Sequence, residues 1–213
     1  PVDIFYHLIF FSPRGGGDGT LYTPVKSVTI NLVMYSERVV YPRGPQDPDV
    51  EEALLQGQVA LAVVQWSGIG RQELVLPWQR MLSPDALQRF AQNARNLPRS
   101  FEGSDTAVGE AISFATAQFG AVTDCKRHVI DISGDGPENA GTSVAHARTK
   151  ALAQNIDINA IAIEDMGLSA PTTSFYKNWV ISPKGFVMTA RGLQDYARAL
   201  RAKLLRELVK PSG

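Results

Sequence analysis

The sequence predicts an α/β fold: a mostly parallel central sheet with one antiparallel edge strand and helices on both faces. Three observations predict it. From residue 49 onward, apolar runs of strand length alternate with stretches of helical spacing, the pattern of strand–helix–strand units. The runs 59–64, 127–132 and 156–163 carry apolar residues on consecutive positions, as strands covered on both faces do. Finally, the runs 59–64 and 73–77 are joined by a short Gly-containing turn. They therefore pair antiparallel, and Pro77 places the second at a sheet edge.

The elements follow in order. Residues 1–48 are atypical. An apolar run at 2–11 is followed by a Gly-rich turn at 15–19, a second strand-like run at 28–34 and a Pro/Gly segment at 41–48. None of it has helical periodicity, and either run can be the first strand. Residues 50–55 read as a short helix stopped by Gly57, before the hairpin at 59–77. Ser83-Pro84 is a helix start, with Ser as the cap and Pro in the first turn. Leu87, Phe90, Ala91, Ala94 and Leu97 mark its apolar face. A second helix begins near 104–106, with Val108, Ala111, Ile112, Ala115 and Phe119 at spacings of three and four. The strand 127–132 runs into an acidic, glycine-bearing loop, Ser133-Gly134-Asp135-Gly136-Pro137-Glu138-Asn139. A helix starting near 142–143, the strand 156–163, an irregular loop over 165–183, a short strand at 185–190 and a helix from 193 to 208 complete the chain. The Arg and Lys residues of that last helix read as its solvated face.

Composition narrows the function. The 213 residues contain 21 Lys+Arg and 21 Asp+Glu, so whole-chain charge gives no case for nucleic acid or an anionic membrane. No apolar run reaches the roughly 18 residues of a membrane span. The one cysteine, Cys125, allows no intrachain disulfide and no thiolate zinc site. His7, His128 and His146 lack metal-ligand spacing. No linker or second core interrupts the chain, so residues 1–213 form one domain.

Ligands of parallel sheets sit outside the carboxyl ends of the strands, where Asp135 is expected. The sequence Gly103-Ser104-Asp105-Thr106-Ala107-Val108-Gly109, placed ahead of Ser133-Gly134-Asp135-Gly136, resembles the von Willebrand factor A domain. Val63-Val64-Gln65-Trp66-Ser67-Gly68, residues 133–141, and Phe175-Tyr176-Lys177-Asn178-Trp179-Val180-Ile181 extend the resemblance. They are similar to an uncharacterised exported proteobacterial family of that fold, over about residues 48–209.

The resemblance implies a protein-binding module and a metal-ion-dependent adhesion site with three arms: Asp-x-Ser-x-Ser after the first strand, a Thr, and an Asp. Magnesium prefers oxygen ligands in octahedral geometry, and a partner's carboxylate can complete its shell. Here the Thr matches at Thr106 and the Asp at Asp135. The first arm falls best on Met34-Tyr35-Ser36-Glu37-Arg38, where only Ser36 survives, with Met34 at the Asp position and Arg38 at the last Ser; the alternative register, Phe10-Phe11-Ser12-Pro13-Arg14, fails the same way. The site is thus degenerate. Either Mg2+ is held by Ser36, Thr106 and Asp135, or Arg38 takes the cation's place against Asp135. Asp131, Glu138 and Arg38 would extend the partner-binding edge.

The resemblance further implies export, to the periplasm for example, and a protein partner without catalysis. Two alternatives stand beside it. Gly134-Asp135-Gly136-Pro137-Glu138-Asn139 is similar to the metal-binding motif of haloacid-dehalogenase-type phosphatases, and Gly17-Asp18-Gly19-Thr20 to the tail of their nucleophile motif. Gly16, however, stands where the attacking Asp is needed. The other alternative is a purely structural subunit of a larger assembly.

Overall fold

The structure, a computed structural model, describes the backbone of residues 27–33 and residues 48–101, 105–164 and 171–208. Six strands form one sheet in the order β3-β2-β1-β4-β5-β6. They are β1 (Ser27–Val33), β2 (Ala60–Trp66), β3 (Gln72–Arg80), β4 (Arg127–Gly134), β5 (Ile156–Glu164) and β6 (Val187–Arg191). All neighbours pair parallel except β2 and β3, whose antiparallel pairing makes β3 an edge, with Pro77 in it. The expected architecture is therefore present. Of the two candidate first strands, the second is used: β1 lies between β2 and β4, with Ile30 opposite Ala62 on one side and Ile130 on the other. The run 2–11 lies outside the described residues.

The helices are α1 (Pro48–Gln56), α2 (Pro84–Arg95), α3 (Val108–Gln118), α4 (Val144–Ala153), α5 (Pro171–Phe175) and α6 (Tyr196–Leu208). Ser83 caps α2 as its sequence predicts, its Oγ accepting from the Ala86 N–H at 3.2 Å. Strand alternation sorts the packing. On β4, His128 meets the Phe119 ring beyond α3, whereas Asp131 and Ser133 meet Lys203 and Tyr196 of α6. Even positions of β4 thus face α3 and α4, and odd positions face α6, beside which α1 packs. Val129, Ile130, Ile132, Ile158, Ala160 and Ala162 are fully buried, as expected for strands covered on both sides.

Two expectations need correction. The loop predicted over 165–183 contains helix: α5 runs into a π-helical turn, Tyr176–Val180. Pro171 opens α5, and the Glu164 carboxylate accepts from the Thr173 N–H at 2.6 Å. Thr172, Tyr176 and Val180, spaced by four, are buried. The basic residues of α6 are also not all solvated, since Lys203 is only 1% exposed.

The three tryptophans do not form one patch. Trp66 is buried in β2, Trp78 donates from Nε1 to the Gln118 carbonyl at 3.1 Å, and Trp179 is 59% exposed on the π-helical turn.

Helix α3 sits close against the start of α4. A Cβ on Gly109 would lie 1.9 Å from the Thr142 carbonyl oxygen, which is backbone and cannot swing aside. Gly109→Ala is therefore expected to cost about 1–3 kcal/mol of stability through forced separation of the two helices. Urea denaturation measures it, and an unchanged midpoint would contradict the packing described.

Candidate functional site

Parallel pairing brings the carboxyl ends of β1, β2, β4, β5 and β6 to one edge of the sheet. Thr106 reaches that edge through the turn before α3, where the Ala107 N–H donates to the Ser67 carbonyl just past β2, at 3.1 Å. Asp135 reaches it directly, as the first residue after β4. The end of β1 lies between β2 and β4, so Thr106 and Asp135 flank the place where the chain leaves β1 for Met34-Tyr35-Ser36-Glu37-Arg38. Met34, Ser36 and Arg38 themselves lie outside the described residues.

The Thr106 and Asp135 loops are tied together by protein groups. Asn139 forms a reciprocal pair with Thr106: its Oδ1 accepts from the Thr106 N–H at 2.8 Å, and its own N–H donates to the Thr106 carbonyl at 3.1 Å. Glu138 lies between two helix amino termini. One carboxylate oxygen accepts from the Gly109 N–H of α3 at 2.8 Å, and the other from the Val144 N–H of α4 at 3.0 Å. Helix amino termini present unpaired N–H groups and a partial positive charge, so a carboxylate bridging two of them is doubly favoured. The Asp135 carbonyl accepts from the Thr172 hydroxyl at 3.1 Å, which fastens the loop to α5 as well. Thr106 is buried and Asp135 half-buried. Gly136 stands over Thr106, with a Cβ there 4.0 Å from the Thr106 Oγ.

The other predicted edge residues divide. Glu138 is in the site, as a clamp. Asp131 is not at the edge. It points from the middle of β4 into the α6 side of the core, is 2% exposed and pairs with Lys203. The expectation was wrong because Asp131 lies three residues short of the strand end, on the opposite face from α3 and α4. Sequence reasoning also missed Ile69. This residue occupies the β2–β3 turn at the same edge and is 64% exposed. The turn is pinned to α3 by the Gly70 N–H donating to the Glu110 carboxylate at 2.9 Å. An isoleucine between two glycines in a tight turn was the available signal.

A magnesium ion of the adhesion-site type requires several free oxygen donors in octahedral array. Among the described residues Thr106 brings a hydroxyl to the edge, and Asp105 and Asp135 bring carboxylates. Both Glu138 oxygens and the Asn139 Oδ1 are engaged with backbone N–H groups. No group of three or more His, Cys, Asp or Glu side chains is placed to hold a metal among the described residues. These donors alone do not fit the ion.

Sheet order, the crossing helices and the paired Thr106 and Asp135 loops define an α/β domain of the von Willebrand A type. Solved structures agree on the fold. Proximal thread matrix protein 1 of mussel byssus superposes with a TM-score of 0.55 at 19% identity, over 73% of this chain and 40% of that one. A von Willebrand factor type A protein from Catenulispora acidiphila gives 0.54 at 18%, over 75% and 36%. The pilus adhesin SpaC of Lactobacillus rhamnosus GG gives 0.55 at 12%, over 75% and 26%. The chain thus spans well under half the length of these three. Another structure of the mussel protein, with a zinc-occupied adhesion-site motif, gives 0.51 at 20% identity, over 68% and 35%.

Within this class the chain belongs to the family described as Protein of unknown function (DUF1194), whose profile matches residues 41–212. No curated protein matches the chain significantly. No described helix is long and apolar enough to cross a membrane.

If Glu138 clamps the site, Glu138→Ala leaves two helix N–H groups without a carboxylate and lowers stability by about 2–3 kcal/mol. Glu138→Gln, which keeps one acceptor oxygen, should lose roughly half as much. Chemical denaturation of the three proteins side by side checks the order.

Proposed function

We propose that this chain is a non-enzymatic protein-binding module whose carboxyl-end edge engages a partner protein without a bridging metal. The observation that carries the proposal is the clamp of Glu138 and Asn139. It joins the Thr106 and Asp135 loops through protein groups, so no ion is required to assemble the edge. Ile69, Asp105 and Pro137 are exposed around it and supply an apolar and polar contact surface. Two of the similar structures are a pilus adhesin and a thread matrix protein of mussel byssus by title, which supports a binding role and an exported, for example periplasmic, location. The step from fold to function is analogy. In this reading Arg38, a few residues beyond β1, pairs with Asp135 in the position a cation would otherwise take, beside Ser36.

The phosphatase alternative is not favoured. It needs the residues after Asp135 to hold magnesium, and Glu138 and Asn139 are committed to backbone N–H groups.

A photo-crosslinking amino acid at Ile69 or Asp105 should capture a protein partner in cells of the source organism. One at Leu82, exposed near the opposite end of β2, should not. Capture from the Ile69 and Asp105 positions should survive EDTA. Crosslinks confined to position 82, or lost on chelation, would overturn the proposal. Purified protein should also show no magnesium-dependent turnover of an aryl phosphate. A rate abolished by Asp135→Asn would restore the phosphatase.

A further inference from the structure

The α6 side of the sheet buries an uneven set of charges. Asp131 of β4 pairs with the Lys203 ammonium of α6. The same ammonium meets the Glu207 carboxylate, one turn on, at 2.6 Å. Asn159 of β5 donates to the same Glu207 oxygen at 2.6 Å, and its own Oδ1 accepts from the Phe186 N–H at 3.1 Å. Asp131, Asn159, Lys203 and Glu207 are all closed off from solvent. With both carboxylates ionised, the cluster would hold one positive and two negative charges where water cannot screen them, a costly arrangement.

Among the described residues the surroundings offer no second cation paired with these carboxylates. On β4, Ser133 is engaged with the Tyr196 hydroxyl at 3.1 Å. The Phe186 ring lies 5.9 Å from the Lys203 ammonium, and the Arg206 guanidinium stacks on that ring at 4.0 Å. On β1 the residue in register with Asp131 is Asn31. Helix α1, packed against α6, buries Val50 and Leu54, and its charged residues are the acids Asp49, Glu51 and Glu52. Neither oxygen of Asp131 nor the Oε2 of Glu207 receives an aligned hydrogen bond. A proton on Glu207, directed at Asp131, balances the charge and satisfies both carboxyl groups.

We propose that Asp131, Lys203 and Glu207 form a proton-dependent latch that holds the carboxyl-terminal half of α6 on the sheet only while Glu207 is protonated. Burial and the neighbouring Asp131 both push the Glu207 carboxyl well above its ordinary value of 4.5. The sign follows: the folded chain holds this proton more tightly than the unfolded chain does. The stability it contributes is complete below about pH 4.5 and is lost as pH rises towards the folded value. Each pH unit in that window weakens folding tenfold, or lowers Tm by roughly 3–5 °C for a chain of this size.

Thermal unfolding of the full chain between pH 5 and pH 9 tests the latch. Glu207→Gln cannot ionise and keeps the shape. Its Tm should fall less steeply with pH than that of the wild type and should exceed it at pH 9. Asp131→Asn leaves one carboxylate for one ammonium, and it should flatten the profile too, which covers the case where one variant fails to fold. Hydrogen exchange locates the effect. Amides of α6 in the wild type should lose protection at pH 9 before those of β4, and Glu207→Gln should restore it. Parallel Tm profiles for wild type and both variants, or α6 and β4 amides opening together, would overturn the proposal.

Discussion

The carboxyl-end edge of the sheet depends on one carboxylate placed between two helix amino termini. Glu138 accepts from the first turns of α3 and α4 at once, and so fixes the distance between the loop bearing Thr106 and the loop bearing Asp135. Gly109 makes the arrangement possible, since any side chain there would meet the Thr142 carbonyl. Asn139 then closes the pair with two bonds to the Thr106 backbone. In the metal-ion-dependent adhesion site that the von Willebrand A resemblance implies, an ion joins the loops. Here the gathering is done by groups of the chain itself, and the donors that do it are no longer free for an ion.

Much of this was legible in the sequence, for physical reasons that differ by element. The buried strands announce themselves because residues covered on both faces must be apolar at consecutive positions. The hairpin follows from its short glycine turn, and α2 from Ser83 and Pro84, whose chemistry serves a helix start. Asp135 could be assigned to the edge because parallel strands end together, whereas Thr106 was placed there only by the von Willebrand A resemblance. The first strand could not be chosen, since residues 2–11 and 28–34 are equally apolar and only the sheet register separates them. Helix over 171–180 was missed because it is one short helix running into a π turn, with too few apolar positions to establish a period.

The larger miss was charge in the core. Sequence reasoning assigned Asp131 to the binding edge and the basic residues of α6 to solvent, following the rule that ionised side chains stay wet. Pairing overrides that rule. Lys203 and Glu207 are spaced by four, and with Tyr196 and Leu200 they line the buried face of α6. A charged pair in an apolar helical stripe, together with a lone Asp inside an apolar strand, is a signal that three ionisable groups meet. Strand β4 thus serves two ends. Its middle anchors α6 through Asp131, and its carboxyl terminus presents Asp135 to the opposite loops.

That the edge assembles without an ion is the claim on which the functional reading turns, and anomalous diffraction tests it most directly. Crystals of the full chain soaked in manganese should show no anomalous peak between Thr106 and Asp135. An ordered peak there, with oxygen ligands at about 2.1–2.2 Å in octahedral array, would contradict the account and make this a metal-bridged adhesion site after all.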